Sequence, residues 1–276
     1  MTHPLLKTYK IGFIGAGNMA QALIKGIIES KVMKPEQIIV SNRTPGKLIK
    51  LKELYGVQVR EHNEQIVEEC EIVVLAMKPQ DLPAAVENMS SAFTEHQIVI
   101  SLAAGINVKS LEKIIPHGRL VRLMPNTPSL IGRGVLGLLN HNKDEFVADM
   151  VKDLFSGLGV VLDVETEDQF DALMISCSSG TGFVFEMMMY WQDWIAEHGF
   201  TSEQSKIMTI ETFLGASLLA AQSAGVDIEE LQHRVTSKKG VTAAGLNSMR
   251  ELEIERALRI SFEKAALRSQ EISRQT

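Results

Sequence analysis

Within its first twenty residues the chain commits itself to one kind of turn. The apolar run Ile11-Gly-Phe-Ile14 reads as a buried strand, and it passes directly into Gly15-Ala16-Gly17-Asn18-Met19-Ala20, the opening of a stretch with helical period. A Gly-x-Gly-x-x-Ala run between strand and helix has a physical purpose at each small residue. The first glycine permits a tight turn, the second lets the backbone approach a pyrophosphate, and the alanine lets helix and strand pack closely. The first N–H groups of the helix then face the anion. Residues 15–20 are therefore read as the phosphate-binding turn of a dinucleotide site.

The pattern this turn begins continues as far as Asp163. Strands are expected over Lys10–Gly15, Gln37–Ser41, Ile72–Ala76, Ile98–Leu102, Leu120–Leu123 and Val160–Asp163. Helices are expected between them, over Met19–Ser30, Pro45–Leu54, Asn63–Glu69, Gln80–Phe93, Val108–Ile115 and Asp144–Ser156. Such alternation specifies a parallel sheet with helices on both faces. After Glu165 only helical patterns remain: Glu167–Ser176, Gly182–His198, Ser202–Ala224, Ile228–Val235, Thr242–Arg250 and Glu253–Ser273, with a capping box at Thr201-Ser-Glu-Gln204. The expected fold class is α/β: a Rossmann-type doubly wound sheet over residues 1–165, followed by an all-α domain over 166–276. Met187-Met-Met-Tyr-Trp191 and Phe213-Leu-Gly-Ala-Ser-Leu-Leu-Ala-Ala221 are apolar all round their helices. Such helices must be buried, and a small α domain has little interior, so they predict a dimer interface.

Composition removes several classes of function. Lys and Arg total 28 against 34 Asp and Glu, for a net charge of −6, which offers no basic surface for nucleic acid. No segment reads as a signal peptide or a bilayer span, so a cytoplasmic protein with no membrane partner is expected. Two cysteines, Cys70 and Cys177, make no disulfide framework. The seven histidines are scattered without metal-ligand spacing, and no metal is expected.

The second strand ends in Ser41-Asn42-Arg43-Thr44. An NAD site carries an acid here for the ribose 2′-hydroxyl. A guanidinium among short polar side chains suits a 2′-phosphate instead, so NADPH is the expected cofactor, with NADH bound more weakly.

Further motifs fall at the carboxyl ends of expected strands, where open α/β sheets bind ligands: Leu75-Ala76-Met77-Lys78-Pro79-Gln80, Ser101-Leu-Ala103-Ala104-Gly105-Ile106 and Arg122-Leu-Met-Pro125-Asn126-Thr-Pro128. Taken with the glycine turn and Asn42-Arg43-Thr44, they closely resemble the Δ1-pyrroline-5-carboxylate reductases, in order, from about Lys10 to Ile272. The resemblance implies a Rossmann domain and an all-α dimerisation domain, with two subunits intertwined and dimers often assembled into decamers. It implies hydride transfer from NAD(P)H to the C=N carbon of a cyclic imine, yielding L-proline. By the same carry-over Asn63, Ala76, Met77, Lys78, Pro79, Ala103, Ala104, Gly105, Pro125 and Asn126 bind the cofactor. The substrate lies at the dimer interface near Glu167 and Val235–Thr242. There Ser237 and the amides of Val241 and Thr242 hold its carboxylate, and the Thr242 hydroxyl reaches the ring nitrogen. A loop that opens a helix is a physically reasonable anion site, although Thr242 as a simple helix cap fits the same sequence.

Departures from the family pattern cluster in the substrate region. The usual V-T-S-P-G-G-T-T appears as Val235-Thr-Ser-Lys238-Lys239-Gly-Val241-Thr242, and the usual S-G-S-G-P-A-Y as Cys177-Ser-Ser-Gly-Thr-Gly-Phe183. Two placements of Lys238 and Lys239 follow. Pointing outward, they leave proline synthesis intact; facing the pocket, they favour a more anionic ligand. The second makes the chain a divergent imine or ketone reductase, or a dinucleotide-binding regulator without turnover. A scaffold retaining the fold and a β-hydroxyacid dehydrogenase are the remaining alternatives.

Overall fold

Four short runs rich in isoleucine and valine, each buried along its whole length, form the middle of the sheet: β1 (Ile11–Ile14), β2 (Ile38–Ser41), β4 (Ile72–Leu75) and β5 (Ile98–Ser101). Strands covered on both faces read as continuous apolar runs rather than alternating ones. β3 (Gln58–Arg60), β6 (Arg119–Met124), β7 (Gly134–Leu139) and β8 (Gly159–Val164) complete an eight-stranded sheet in the order β3-β2-β1-β4-β5-β6-β7-β8. All neighbours are parallel except β6 and β7. The first six strands thus have the 3-2-1-4-5-6 order of a dinucleotide-binding sheet. The structure is a computed structural model and describes residues 3–275.

Six helices accompany the sheet: α1 (Asn18–Glu29), α2 (Pro45–Tyr55), α3 (Asn63–Glu69), α4 (Leu82–Glu87), α5 (Val108–Ile114) and α6 (Glu145–Phe155). Alternate strand residues face opposite layers. Phe13, Val40, Val74 and Ile100 pack with α1, α2 and α6, while Ile14, Ile39, Val73 and Val99 pack with α3, α4 and α5. The period of two along each strand therefore builds two separate cores.

The helical remainder comprises α7 (Glu167–Leu173), α8 (Gly180–Ala196), α9 (Ser202–Gln222), α10 (Ile228–Arg234), α11 (Val241–Glu251) and α12 (Ile254–Gln275). A π-helical stretch, Met174–Ser179, lies between α7 and α8. Packing divides the chain into two units: one runs through Ser179 and takes in the stretch from Ala265, and the other is Gly180–Lys264. The division falls later than the expected boundary at Glu165, because Phe170 and Leu173 pack on Val108, Met124 and Leu139 in a core of the sheet unit.

Three further differences from the sequence reading have local causes. β3 is three half-buried residues without an apolar run, and β7 carries two glycines; neither is among the expected strands. The stretch expected as one helix over Gln80–Phe93 is broken into a 3-10 turn at Pro79–Asp81, the short α4, and another turn at Ser90–Ala92. The helical run Glu167–Ala196 is long and apolar enough, by length and composition, to cross a bilayer, where no such segment is expected. It qualifies because α7, the π-helical stretch and α8 follow one another without a break.

Candidate functional site

The carboxyl ends of β1, β2 and β4 open into a cleft of about 500 Å³. Its wall includes Gly15, Ala16, Gly17, Asn42, Arg43, Thr44, Asn63, Ala76, Met77 and Lys78, all of them expected cofactor residues. β1 and β4 are neighbours whose onward connections lead to opposite faces of the sheet, the switch point at which such sheets bind ligands.

The glycines have the geometry that a phosphate cradle requires. Gly15 sits at φ +108°, and a Cβ there would lie 2.7 Å from the Ala76 carbonyl oxygen. No other residue makes that turn over the end of β4 without strain. Gly17 is the N-cap of α1, has no side chain to cap it, and a Cβ there would meet nothing within 4 Å. The first-turn amides at Asn18, Met19 and Ala20 have no intrahelical acceptor, so this helix end is an open anion site. Ala20 itself is buried against the sheet, as close packing demands.

Asn42 supports the turn. Its Oδ1 accepts from the Ala16 amide at 3.1 Å while its Nδ2 donates to the Thr44 carbonyl. The Gln21 side chain donates to the Ala16 carbonyl at 3.0 Å, so the Ala16 residue is gripped at both its N–H and its C=O. The Ser41 hydroxyl reaches Asn63 Oδ1 at 2.8 Å. Asn42 thus positions the glycine turn, and Arg43, joined by Lys47 from the first turn of α2, places positive charge on the cleft wall. A larger hollow of about 990 Å³ shares Asn42 and Arg43. It lacks the glycine turn, it runs along α2 from Pro45 to Glu53, and its wall carries Lys52 and Arg60 as well as Glu53 and Glu61.

Several expected site residues fall outside this cleft. Pro79 begins the 3-10 turn after β4. Ala103, Ala104 and Gly105 follow β5, with Gly105 at φ +78°. Pro125 and Asn126 follow β6, where Asn126 accepts from the Val135 amide at 2.9 Å and donates to the Cys177 carbonyl at 3.1 Å. Both ends of that side chain thus touch the scaffold, which fixes how Asn126 is oriented.

Glu167 also has a task the sequence did not disclose. One carboxylate oxygen accepts from the Val108 amide at 2.9 Å, and the other pairs with Arg122. Arg122 is buried, its guanidinium 4.0 Å from the centre of the Phe170 ring and its Nη2 directed at the Ala103 carbonyl. Burial pulls the pKa of Arg122 down, against the opposing pull of Glu167 and Asp171. Burial likewise raises the Asp171 carboxyl, against the pull of Arg122. The pair fastens β6, α7 and the loop after β5 together, so Glu167 has a framework contact in addition to its expected place near the substrate. Among the described residues no group of three or more metal-ligating side chains gathers.

In the Gly180–Lys264 unit, Ser237-Lys238-Lys239-Gly240 forms a tight turn closed by the Gly240 amide on the Ser237 carbonyl at 3.0 Å. Lys239 takes the left-handed φ of +58° where the family pattern has glycine, a conformation that costs an ordinary residue about 1–2 kcal/mol. Both lysines are exposed, as are Val241 and Thr242. Gly240 is the N-cap of α11 and no side chain caps it, so Thr242 is not the cap and stands inside the first turn. The turn survives the lysines, and the amides at the start of α11 retain their anion-binding geometry.

Comparison with known proteins decides the family. Residues 10–105 match the family model described as NADP oxidoreductase coenzyme F420-dependent, and residues 167–272 match the one described as pyrroline-5-carboxylate reductase dimerisation. The pyrroline-5-carboxylate reductase of Pseudomonas aeruginosa is 33% identical over 272 residues, covering 98% of this chain and 99% of that one. The chain belongs to the pyrroline-5-carboxylate reductase family. The pyrroline-5-carboxylate reductase of Methanosarcina acetivorans is 32% identical over 98% of this chain and 100% of its own. A pyrroline-5-carboxylate reductase structure from Coxiella burnetii superposes with a TM-score of 0.86 at 31% identity, covering 98% of each chain.

As a pyrroline-5-carboxylate reductase family member, the chain carries a dimerisation region whose helices leave large apolar side chains in solvent when taken singly. Phe185, Tyr190, Trp194, Ile207, Leu214 and Leu219 are all exposed. Sequence reasoning missed Lys47, Asp81 and Arg122. Lys47 was detectable as a second cation one turn beyond Thr44. Arg122 was detectable as a charge inside an otherwise apolar strand.

Proposed function

We propose that this chain reduces Δ1-pyrroline-5-carboxylate to L-proline with NAD(P)H, taking NADPH in preference to NADH. The observation that carries the reading is the cleft at Gly15–Ala20, with a bare helix N-terminus for the pyrophosphate and Arg43 and Lys47 at its far wall, in a chain of this family. When bound, the reduced nicotinamide supplies the hydride. Delivered to the carbon of the protonated C=N bond, that hydride would give the amine of proline, the nitrogen keeping its proton. An iminium is already electrophilic, so positioning supplies much of the rate and no dedicated acid–base pair is required.

Each residue then has a definite task. The α1 amides hold the pyrophosphate, and Arg43, Thr44 and Lys47 take the 2′-phosphate. Ser237 and the amides of Val241 and Thr242 receive the substrate carboxylate, and the Thr242 hydroxyl engages the ring nitrogen. The turn at Ser237–Gly240 keeps its closing hydrogen bond with Lys238 and Lys239 in it, which supports retention of this substrate.

The exposed apolar faces of α8 and α9 support an intertwined homodimer, able to assemble further into decamers. Those faces are the proposed use for the apolar run Glu167–Ala196, so no membrane partner is needed, and the net charge of −6 disfavours nucleic acid. A cytoplasmic location belongs to the same reading. It is supported by the low cysteine content, Cys70 and Cys177 being too few for a disulfide framework.

NADPH oxidation by the purified protein, with and without Δ1-pyrroline-5-carboxylate, tests the proposal when proline is followed by chromatography. Substrate-dependent oxidation with stoichiometric proline is expected. NADPH binding without turnover would assign the chain to dinucleotide binding alone.

A further inference from the structure

Asp81 stands at the N-cap position of α4, where an aspartate ordinarily accepts a hydrogen bond from the helix and contributes about 1 kcal/mol. Here its side chain makes no such bond. Its carboxylate reaches instead to Arg43, with Oδ2 3.0 Å from Nη2. Both residues belong to the cleft wall, Arg43 from the turn after β2 and Asp81 from the turn after β4. The cation best placed for a 2′-phosphate is therefore already held by an internal anion across the cleft.

We propose that Asp81 is a specificity-determining residue: by competing for Arg43 it lowers the affinity for a 2′-phosphorylated dinucleotide and so limits discrimination between NADPH and NADH. The inference rests on the cofactor reading given above and deepens it. A phosphate carries more negative charge than a carboxylate and offers three acceptor oxygens, so it displaces Asp81 from the guanidinium. It must then bind beside a carboxylate that repels it. The 2′-hydroxyl of NADH has no charge to exchange, and with NADH the Arg43–Asp81 pair persists. Arg43 thus has two anionic partners, one internal and one brought by the ligand.

The test is a double-mutant cycle on the full-length protein, with Kd for NADPH and NADH measured by calorimetric titration at low and high salt. Asp81→Asn is expected to tighten NADPH about three- to tenfold, a range set by the modest strength of exposed pairs plus relief of like-charge repulsion. NADH is expected to stay within about twofold, and the gain should shrink as salt rises. In an Arg43→Ala background the Asp81→Asn gain should shrink to the part that relief of like-charge repulsion alone supplies. Equal changes for both dinucleotides, an unmoved NADPH affinity, or a full gain persisting without Arg43 would each overturn the inference while leaving the cofactor assignment standing. Failure of the wild-type chain to bind either dinucleotide would overturn the cofactor reading, and this inference with it.

Discussion

The sheet unit and the helical unit solve the burial problem in opposite ways. The first closes two cores on itself, and residues such as Phe13, Ile24, Val74 and Phe155 are wholly shielded by their own chain. The second has little interior: within Gly180–Lys264 the buried side chains are Ile195, Ser205 and Thr209, while Trp194, Tyr190 and Phe185 stand in solvent. Aromatic pairs such as Trp191–Phe213 and Phe183–Phe262 organise those helices without covering them. This much exposed apolar surface accords with the dimerisation region that the family model matches, and covering it by assembly would add to the stability of the helical unit.

The largest effect should come from breaking that asymmetry. Trp194→Asp combined with Leu214→Asp is expected to yield monomers by light scattering and to abolish reductase activity, with NADPH binding by the sheet unit retained. A stable, active dimer would show that the exposed faces of α8 and α9 are not the interface. Next in size is an injury to the self-contained unit. Phe170→Ala removes the ring beneath Arg122 and should cost about 3–5 kcal/mol in urea unfolding. Glu167→Gln should cost less, about 1–3 kcal/mol, since it leaves a buried guanidinium without its counter-charge yet keeps a hydrogen-bonding side chain. A loss below 0.5 kcal/mol, as is usual for surface positions, would remove the pair from the framework.

Smaller effects separate the two binding regions. Arg43→Ala should weaken NADPH about ten- to a hundredfold, the worth of a charge-assisted contact, and leave NADH nearly unchanged. Thr242→Ala should lower kcat by about tenfold with little change in the KM for NADPH, as expected for loss of one general positioning contact. Equal losses in both parameters would place Thr242 outside the substrate site. The smallest effect concerns Cys70. Burial pushes its thiol from an ordinary 9.0 up to about 12. The folded chain keeps that proton when the unfolded chain has released it, so this group's contribution to stability declines as pH rises from about 9 toward 12. Thiol-reagent modification at Cys70 should accordingly be negligible in native protein at pH 8 and rapid after unfolding.

Much of the first unit was legible in the sequence because its signals are local. Val40 and Val74 lie in short, β-branched apolar runs flanked by polar turn residues, which read as strands covered on both sides, and Gly15 and Gly17 are specified by the turn they make. β3 was not legible because Gln58-Val-Arg60 owes its conformation to pairing with β2. β7 was obscured by its glycines, whose place in the sheet is set by pairing with β6 and β8. The site divides on the same line. Arg43 was recognisable from the missing acid at the end of β2, but the carboxylate that holds it lies 38 residues further along the chain. Asn126 and Glu167 sit in family motifs, yet the Cys177 carbonyl and the Arg122 side chain that they meet lie 51 and 45 residues away, and only the fold brings them together.

By itself the sequence determined the strand–turn–helix that binds phosphate, the order of the main elements and the family, because each is encoded by residue size and polarity at short spacing. The tertiary structure alone decided which polar side chains remain available to ligands, since a carboxylate or amide can be claimed by any partner the fold brings within 3 Å. It also decided that the left-handed turn at Lys239 persists and that the apolar helices lack cover in a single chain, because both depend on how backbone and surface close in three dimensions.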